Sequence, residues 1–410
     1  MKFNIITFGC KVNQYESNMM KENMLHHNFY WENDYLKSDI VIINTCTVTN
    51  TADKKCLKMV RSVKRNCPDK IIVVTGCSTQ NKVEKYEDLG LDIILGNVDK
   101  SKIALIIEKY LETKRKVKII EKNRHLEFED MFINDYHHVR AFLKIEDGCD
   151  NFCSYCIIPF VRGSVRCKDF ATVLKEAQSL VDNNHQELVL TGIHTGHYNY
   201  EGKDLSDLIL ELEKIKGLKR IRISSIEITE LDEKFMNVLK TSKKLCNHLH
   251  IPLQAGSDEI LKSMNRKYDL NYFKNKIQEI RRIRPDISIT TDIIVGFPGE
   301  TEQNFLETLK TSEQLNFAQI HVFPYSKREG TKAALMENQI DEKIKKDRVK
   351  RLIELSKSLE KKYYEKFKNK ELDILVENIE NNKSYGHTSN YLYVELDELL
   401  EIGKIYRRIL

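Results

Sequence analysis

The chain has 410 residues with 41% hydrophobic side chains, and 66 Lys or Arg against 61 Asp or Glu give a formal net charge of +5. This composition supports ordinary hydrophobic cores in about two to four domains. It contains no apolar run near the ~20 residues that a membrane-spanning helix needs, and the small net charge does not by itself indicate a nucleic-acid partner.

The N-terminal run "MKFNIITFGC" is short and apolar and lacks a small-residue cleavage site. It predicts a first β-strand rather than a signal peptide, and hence a cytoplasmic protein with no membrane partner. In that reducing compartment the ten cysteines are expected to be metal ligands, redox groups or buried thiols rather than a disulfide framework.

The first third of the chain alternates strands with helices. The apolar, β-branched runs "KFNIITF", "DIVIINT", "KIIVVTG" and "LDIILGN" are separated by polar segments such as "NTADKKCLKMVRSVKRN". Such alternation predicts βαβ units in an open parallel sheet, which we assign to residues 1–118. The stretch "EKNRHLEFEDMFINDYHH" loses this periodicity and predicts a linker over residues 119–138.

Three cysteines follow the predicted strands at the point where each strand ends. Cys10 follows the first strand, Cys46 the second and Cys77 the third. Because parallel strands end at the same edge of a sheet, where open α/β folds bind ligands, we expect these thiols to converge. Cys56 and Cys67 lie within and at the end of the intervening helix, and we interpret them as ordinary thiols.

A second alternating series predicts an incomplete (β/α)6 barrel over residues 139–338. Its strand candidates are "VRAFLKIE", "ELVLTGI", "RIRISSIE", "HLHIPLQ", "SITTDIIVGF" and "QIHVFPYS". Ligands of such folds bind at the C-terminal ends of the strands.

Cys149, Cys153 and Cys156 follow the first barrel strand with the spacing C-x3-C-x2-C. A zinc site here would need a fourth ligand, such as Cys167 or a histidine. A four-iron cluster held by three cysteines would instead keep one iron without a protein ligand. An open metal position is typical of catalytic centres, but the spacing alone leaves both metals possible.

This motif at the mouth of a six-unit β/α barrel resembles the radical S-adenosylmethionine enzymes. The resemblance implies that S-adenosylmethionine occupies the open iron position. It also implies that an electron from the 4Fe–4S cluster cleaves the cofactor to a radical, which is chemistry within the reach of protein iron–sulfur potentials.

With three upstream cysteines and a small β tail, the chain further resembles the methylthiotransferases of that group. The resemblance implies a flavodoxin-like first domain in which Cys10, Cys46 and Cys77 hold a second 4Fe–4S cluster, and a TRAM-like RNA-binding module at the end. The runs "GCKVNQYES", "NTCTVTNTADKKC" and "HVFPYSKREGT" most resemble the enzymes that act on N6-threonylcarbamoyladenosine in tRNA.

The reaction so implied is the insertion of a methylthio group at C2 of N6-threonylcarbamoyladenosine at position 37, in the anticodon stem-loop of tRNA. It would consume two S-adenosylmethionine and need a reductant such as a flavodoxin or ferredoxin. The alternatives are a methylthiotransferase for isopentenyladenosine in tRNA or for a ribosomal-protein aspartate. A different class, a non-catalytic RNA-binding protein stabilised by zinc, is also considered.

Polar and small residues at the barrel strand ends are the candidates for cofactor contacts. Thr191, Gly192 and Ile193, in "LTGIHTGHY", resemble the stretch whose backbone meets the methionine amino group. The other candidates are Ser225, Glu227, Gln254 and Ser257. We interpret His194 and His197 as hydrogen-bonded loop residues rather than metal ligands.

A basic segment and a short tail follow the barrel. Residues 339–370 contain "KIKKDRVKRLIELSKSLEKKYYEKFKNK", which predicts a basic connecting helix. The pattern alone is equally typical of a solvated helix face, and the resemblance implies that this helix contacts tRNA phosphates. Residues 371–410 predict an all-β module that is short for TRAM. The predicted RNA contacts are Lys345, Lys346 and Arg348 on the helix, and Tyr385, Tyr391 and Tyr393, which would stack on bases.

Overall fold

The computed structural model describes residues 1–122 and 124–410, so position 123 of the predicted linker lies outside the described residues. The chain forms two compact units. The first unit comprises Met1–Asn134, Glu146–Phe152 and Cys156–Lys168, and the second unit comprises Asp135–Ile145, Cys153–Tyr155 and Asp169–Leu410. Two segments of the predicted barrel thus belong to the first unit, and we keep the five-part division of the sequence as a proposal.

The first unit contains an open parallel sheet, as predicted. Its strands are β1 (Lys2–Thr7), β2 (Tyr30–Trp31), β3 (Ile40–Thr45), β4 (Ile71–Gly76), β5 (Ile93–Leu95) and β6 (Val117–Ile119). They form one sheet in the order β2-β1-β3-β4-β5-β6, with every neighbouring pair parallel. The edge strands β2 and β6 were not predicted because two or three residues give no periodic signal.

Helices cover the sheet between its strands. They are α1 (Lys11–His26), α2 (Asn50–Asn66), α3 (Cys77–Asn81), α4 (Glu84–Glu87) and α5 (Ile103–Thr113). The side chain of Thr49 accepts a hydrogen bond from Ala52 N at 3.1 Å and so begins α2. Val60 and Val63 of α2 pack with Val41 of β3 in one buried apolar cluster, which fixes the helix against the sheet.

Between the two predicted domains the chain alternates between the units. Strand β7 (Arg140–Lys144) belongs to the second unit. Strands β8 (Glu146–Asp147) and β9 (Arg166–Cys167) pair antiparallel in the first unit, with helix α6 (Ile158–Val161) between them. The C-x3-C-x2-C motif occupies the loop from β8 to α6.

The second unit contains the predicted incomplete barrel. Its further strands are β10 (Glu187–Thr191), β11 (Asn199–Tyr200), β12 (Lys203–Asp204), β13 (Arg220–Ile223), β14 (His248–His250), β15 (Ser288–Val295) and β16 (Gln319–Pro324). Its helices are α7 (Phe170–Asp182), α8 (Leu205–Leu212), α9 (Glu233–Thr241), α10 (Asp258–Ser263), α11 (Leu270–Ile283), α12 (Glu302–Leu315) and α13 (Glu342–Glu365).

Six parallel strands follow one another across this barrel. They form two three-stranded sheets, β13-β10-β7 and β14-β15-β16. Ile221 N donates to Lys244 O and Cys246 N donates to Ile221 O, both at 2.8 Å, which joins the two sheets. The predicted (β/α)6 arrangement is therefore confirmed, and its loops after β10, β13 and β14 carry the predicted cofactor residues.

The tail is a small antiparallel sheet. Its strands are β17 (Glu371–Glu380), β18 (Lys383–Thr388), β19 (Tyr393–Leu396) and β20 (Ile405–Ile409), in the order β19-β18-β17-β20. Its own apolar cluster contains Phe367, Ile374, Leu392, Val394 and Leu396. The run "SYGHTSNYLYVEL" forms both β18 and β19, since the chain turns at Tyr391 with a φ of +66°.

Buried charges fasten the tail to the barrel strands. Arg222 on β13 donates to Glu187 Oε1 at 2.6 Å and to Ser389 O of the tail at 3.2 Å. Arg220 donates to the tail at Asp373 O, at 2.6 Å. Burial alone would raise the pKa of Glu187, but the two guanidinium groups outweigh it and lower that pKa to about 2. The carboxylate therefore stays charged and holds both guanidinium groups in reach of the tail.

None of the helices among residues 1–122 and 124–410 combines the length and the apolar character that crossing a bilayer requires.

Candidate active site

Cys10, Cys46 and Cys77 lie together at one edge of the first sheet. Cys46 and Cys77 directly follow β3 and β4, and Cys10 follows the neighbouring strand β1 by three residues. The loop of Cys10 passes close over Cys46, because a Cβ atom built on Gly9 would lie 3.0 Å from Cys46 Sγ. The structure thus brings these three predicted ligands to one place.

Gly76 allows Cys77 to turn toward this edge. Its φ is +105°, and a Cβ atom there would lie 2.5 Å from Thr45 O. Only glycine fits such a conformation at such close approach, and α3 then begins at Cys77 itself. The cysteine is held at the end of the strand and not further along the helix.

The Cys46 and Cys77 thiols are poor thiolates unless a cation joins them. Burial, followed by the charge of the neighbouring Cys77, raises the pKa of Cys46 to about 12. Burial is also the main cause that raises the pKa of Cys77. Cysteine binds metal as the thiolate, so a positively charged centre would remove this penalty. These residues fit a cysteine-ligated iron–sulfur cluster with one iron left without a protein ligand.

The buried side chain of Arg162 donates one hydrogen bond to Cys77 and is held in place by three polar neighbours. Arg162 Nε donates to Cys77 Sγ at 3.2 Å, and Arg162 Nη2 donates to Asn13 Oδ1 at 2.9 Å. Its Nη1 pairs with Glu16 at 2.9 Å and with Asp147 at 3.0 Å. The charge of Arg162 therefore opposes the effect of burial on the pKa of Cys77. All of these residues belong to the first unit.

Two further side chains, Asn97 and Lys100, belong to the polar environment of Cys77. Asn97 Nδ2 lies 3.7 Å from Cys77 Sγ, and Lys100 Nζ donates to Asn97 Oδ1 at 3.2 Å. Lys100 also pairs with Glu16, and both side chains are fully buried. Sequence reasoning missed this set, although the polar Glu16 in "GCKVNQYES" on a helix beside Cys10 is a signal that could have been used.

The second cysteine motif is half-buried on its loop. Cys149 and Cys156 belong to the first unit and Cys153 to the second. Within the second unit, Arg266 Nη1 donates to Cys153 Sγ at 3.3 Å, and Arg266 Nη2 contacts Glu227 Oε2. Arg266 was not predicted. It links the candidate cofactor residue Glu227 to a cysteine of the motif.

The predicted cofactor residues all lie at strand ends of the barrel. Thr191 ends β10, with Gly192 and Ile193 after it. Ser225 and Glu227 follow β13, and Gln254 and Ser257 follow β14. The Thr191 hydroxyl donates to Val189 O at 2.9 Å, and the buried Ser257 hydroxyl accepts from Asn304 Nδ2 at 3.1 Å. At these two positions the side chains are already bonded within the protein.

A polar cluster on three adjacent strands was not predicted. His250 Nε2 on β14 lies 3.2 Å from Asp292 Oδ1 on β15, and His250 Nδ1 lies 2.9 Å from Thr290 Oγ1. His321 on β16 is the neighbour of Asp292 across the strand pair, and its ring centroid lies 5.5 Å from that of His250. The alternating His-x-His of "HLHIPLQ" was a usable signal.

Two of the predicted RNA contacts on the basic helix are wrong. Lys345 and Arg348 are 5% and 4% exposed, because this side of α13 packs against the barrel. Arg348 Nη1 pairs with Glu300 Oε2 at 2.7 Å, and the Lys345 stem lies over Gly296. Basic side chains with long apolar stems often cover a core, and composition does not distinguish that face from a solvated one. Lys346 is exposed and stays a prediction.

The tail tyrosines have two different surroundings. Tyr385 and Tyr393 form a stacked pair with ring centroids 6.0 Å apart, and Tyr393 is 54% exposed. Tyr391 instead stacks on His248 of the barrel at 4.5 Å, with the Arg222 guanidinium 4.9 Å from its ring. Tyr391 is half-buried and fastens the tail to the barrel, and its contact with RNA stays a prediction.

Comparison with known proteins agrees with this architecture. A family model described as the radical SAM superfamily matches residues 143–311, and one described as uncharacterized protein family UPF0004 matches residues 2–96. The radical S-adenosylmethionine methyltransferase TsrM from Kitasatospora setae shares the fold, with a TM-score of 0.58 at 13% identity over 79% of this chain and 74% of that one. The fold and its cysteine motif define a radical S-adenosylmethionine enzyme.

Full-length relatives give a narrower class. The threonylcarbamoyladenosine tRNA methylthiotransferase MtaB of Bacillus subtilis (strain 168) is 41% identical, over 98% of this chain and 92% of its own. The tRNA-2-methylthio-N(6)-dimethylallyladenosine synthase of Natranaerobius thermophilus is 36% identical, over 93% of this chain and 87% of its own. The chain belongs to the family of radical S-adenosylmethionine methylthiotransferases, which confirms the resemblance of its motifs.

Proposed function

We propose that this enzyme inserts a methylthio group at C2 of N6-threonylcarbamoyladenosine at position 37 of tRNA. Relatives named for threonylcarbamoyladenosine are 34–41% identical to it. Relatives named for dimethylallyladenosine are 32–37% identical, and that substrate is the alternative.

The observation that carries the methylthiolation chemistry of this proposal is the presence of two separate cysteine triads. Cys10, Cys46 and Cys77 gather at a sheet edge, and Cys149, Cys153 and Cys156 occupy one loop. Three thiolates in each place fit two 4Fe–4S clusters, each with an iron left for another ligand. S-adenosylmethionine is the cofactor of the second site, and a flavodoxin or ferredoxin would supply electrons.

A side-chain base does not suffice to remove the hydrogen at C2 of adenine. The C2 hydrogen of adenine is not acidic enough for protein bases, whose pKa values span about 4 to 10. General-base catalysis contributes only about 10²–10⁴-fold. Cys149, Cys153 and Cys156 would hold the cluster that, with S-adenosylmethionine bound, would supply the radical chemistry that this C–H bond requires.

The chain's own residues hold the ligands in place. Arg162 and Asn97 direct N–H groups at Cys77, and Arg266 directs one at Cys153. Donors of this kind fix the orientation of a ligating sulfur and stabilise its negative charge. Glu227 in turn contacts Arg266 and keeps that guanidinium at the mouth of the barrel.

We further propose that the polar cluster of His250, Asp292 and His321 recognises the adenine ring. His250 is fixed by Thr290 and Asp292, so its ring orientation is set before a base arrives. His321 lies beside Asp292 and is exposed. Imidazole and carboxylate groups offer both donors and acceptors, which suits the edges of an unstacked base.

The proposed reaction is tested on tRNA nucleosides. Mass spectrometry of tRNA from cells with and without the gene should show loss of the 2-methylthio form and accumulation of N6-threonylcarbamoyladenosine. Purified enzyme should then convert an anticodon stem-loop with that base, and not one with isopentenyladenosine or plain adenosine. Turnover of the isopentenyl stem-loop alone would contradict the substrate assignment, although the class of enzyme would stand.

We also propose that tRNA is held by the exposed side chains of the helix and the tail. Lys346 on α13 offers a charge for phosphate, and the stacked Tyr385–Tyr393 pair offers an aromatic surface. His387 lies against Tyr393, with ring centroids 4.9 Å apart, and extends that surface. Stacking on aromatic side chains is the common way in which small β modules bind unpaired bases.

Two substitutions separate charge from stacking in this surface. Lys346→Gln should weaken tRNA binding and flatten the log–log salt slope by about 0.7–0.9, since one phosphate contact is lost. Tyr393→Ala should weaken binding without changing that slope, because a stacked base contributes about 1–3 kcal/mol. Lys240→Gln and Tyr272→Ala, both at exposed positions of other helices, are the matched controls. Equal binding by all four variants in filter-binding titrations would defeat this assignment.

A further inference from the structure

Two histidines and a glutamate converge at the loops after β10 and β13. His194 and His197 lie on the loop after β10, and Glu230 ends a short helical turn after β13. His197 Nε2 lies 3.3 Å from Glu230 Oε1, and His194 Nε2 contacts the same oxygen. The two imidazole rings are 3.7 Å apart at an angle of 33°. Two ring nitrogens therefore face one carboxylate oxygen.

The Glu230 carboxylate is buried, and only one of its two oxygens accepts a hydrogen bond. The Glu230 side chain is 8% exposed, and its Oε2 accepts a hydrogen bond from Glu227 N at 3.1 Å. Its Oε1 is buried and contacts only the two imidazole nitrogens named above, neither of which is aligned for a hydrogen bond, among the residues that the structure describes. A buried carboxylate oxygen without an aligned donor is costly, and a bound ion is one of the arrangements that satisfy such a group.

The loop is built to approach this carboxylate closely. A Cβ atom on Gly196 would lie 1.8 Å from Glu230 Oε2, so a larger residue at this position would displace the carboxylate. One ligand atom from each of the three side chains lies within 4.8 Å of the others. Ligands around a tetrahedral ion with bonds of ~2.0–2.2 Å lie ~3.3–3.6 Å from each other. The distance of 3.3 Å from His197 Nε2 to Glu230 Oε1 already matches this spacing, and the closer contact of His194 Nε2 with that oxygen must lengthen to it.

We propose that His194, His197 and Glu230 bind one Zn²⁺ ion. Two imidazoles and a carboxylate form a donor set typical of zinc, with the fourth position left to water. His197 is 40% exposed, which gives the ion a path to solvent. The ion would join the loop that begins at Gly192 to the loop that contains Glu227.

This zinc site differs in chemistry from the cysteine centres. Its donors are nitrogen and oxygen, whereas the two triads offer sulfur only. Its role is to position the loops that carry the candidate cofactor residues, and it takes no part in electron transfer. The inference does not depend on the substrate proposed above, because metal content is measured without tRNA or S-adenosylmethionine.

The test uses the full-length, anaerobically reconstituted enzyme. After exposure to Zn²⁺ and removal of loosely held metal, elemental analysis should find ~1 zinc per chain beside the iron. X-ray absorption at the zinc edge should show nitrogen and oxygen ligands at ~2.0–2.2 Å and no sulfur near ~2.3 Å. Sulfur ligation, iron in place of zinc, or zinc well below one equivalent would overturn the proposal.

Matched variants connect the metal to these three residues. Glu230→Gln keeps the size of the side chain, and His197→Gln changes a partly exposed one, so both should fold and keep their iron. Each should lose most of the zinc. His26→Gln and Glu233→Gln, at exposed positions on other helices, should keep it. Zinc retained at wild-type level in Glu230→Gln and His197→Gln would contradict the assignment.

A second readout covers the case of a poorly folding variant. Because a ligand that binds only the folded state stabilises it, chelation of zinc from the wild-type enzyme should lower the melting temperature, and added Zn²⁺ should restore it. The same treatment should leave the melting temperature of Glu230→Gln unchanged. An identical shift in both proteins would place the zinc elsewhere and refute the site.

Discussion

Anaerobically reconstituted Cys46→Ala or Cys77→Ala enzyme is expected to hold about half the iron of the wild type, because one of two four-iron clusters is lost. It should still cleave some S-adenosylmethionine and yet form no methylthiolated nucleoside. The reason is that Cys46 and Cys77, which follow β3 and β4, are not part of the C-x3-C-x2-C motif to which S-adenosylmethionine is assigned. Iron analysis, 5′-deoxyadenosine assay and nucleoside mass spectrometry measure the three outcomes.

The reciprocal variant and a control complete this experiment. Replacing Cys149, Cys153 and Cys156 by alanine should also remove about half the iron, but abolish 5′-deoxyadenosine formation. Cys67→Ala is the control, because Cys67 lies in the apolar cluster beside α2 and should keep both iron and activity. Cys56→Ala is a poorer control, since the Cys56 sulfur is hydrogen-bonded to the backbone of Cys46. Methylthiolated product from Cys46→Ala enzyme would show that the first triad is not required.

The convergence of Cys10, Cys46 and Cys77 could be predicted because it follows from topology. Strand–helix alternation is visible in sequence, and parallel strands share one edge, so residues after strands must meet. The order of the six barrel strands follows from the same rule. Periodicity identifies which elements form and where they end, and this placed the candidate ligands without knowledge of any side-chain contact.

The side chains around those ligands could not be predicted in the same way. Arg162 and Glu16 are 146 positions apart, and nothing in local periodicity relates them. Glu230 comes from a different loop than His194, so the two histidines alone indicated hydrogen-bonded loop residues. For α13, both faces carry basic residues, and only packing shows that Lys345 and Arg348 lie on the covered one. Long-range pairing is decided by tertiary structure.

Replacing Arg162 by Gln is expected to damage both the stability of the first unit and its iron centre. The guanidinium is fully buried between the carboxylates of Glu16 and Asp147. Removing one partner of a buried ion network leaves uncompensated charge, which costs about 3–5 kcal/mol. Urea unfolding should therefore show a lower midpoint, and Arg162→Lys should recover only part of it, because an ammonium cannot form the same fork of bonds.

A double variant separates the stabilising role of Arg162 from its contact with Cys77. Glu16→Gln combined with Arg162→Gln removes one charge of each sign, while Lys100 and Asp147 remain, so part of the lost stability should return. The hydrogen bond from Arg162 Nε to Cys77 Sγ stays absent in this double variant.

The reduction potential of the cluster is the second readout, because hydrogen bonds to ligating sulfurs help set cluster potentials. Since the lost donor stabilised the more reduced, more negative state, the reduction potential of the first-triad cluster should fall in both variants. Glu16→Gln alone should not lower that potential, because it removes a negative charge that disfavours the thiolate of Cys77. A wild-type potential in the double variant would mean that Arg162 acts only through folding, whereas a lowered potential with recovered stability would establish it as the residue that positions and polarises Cys77.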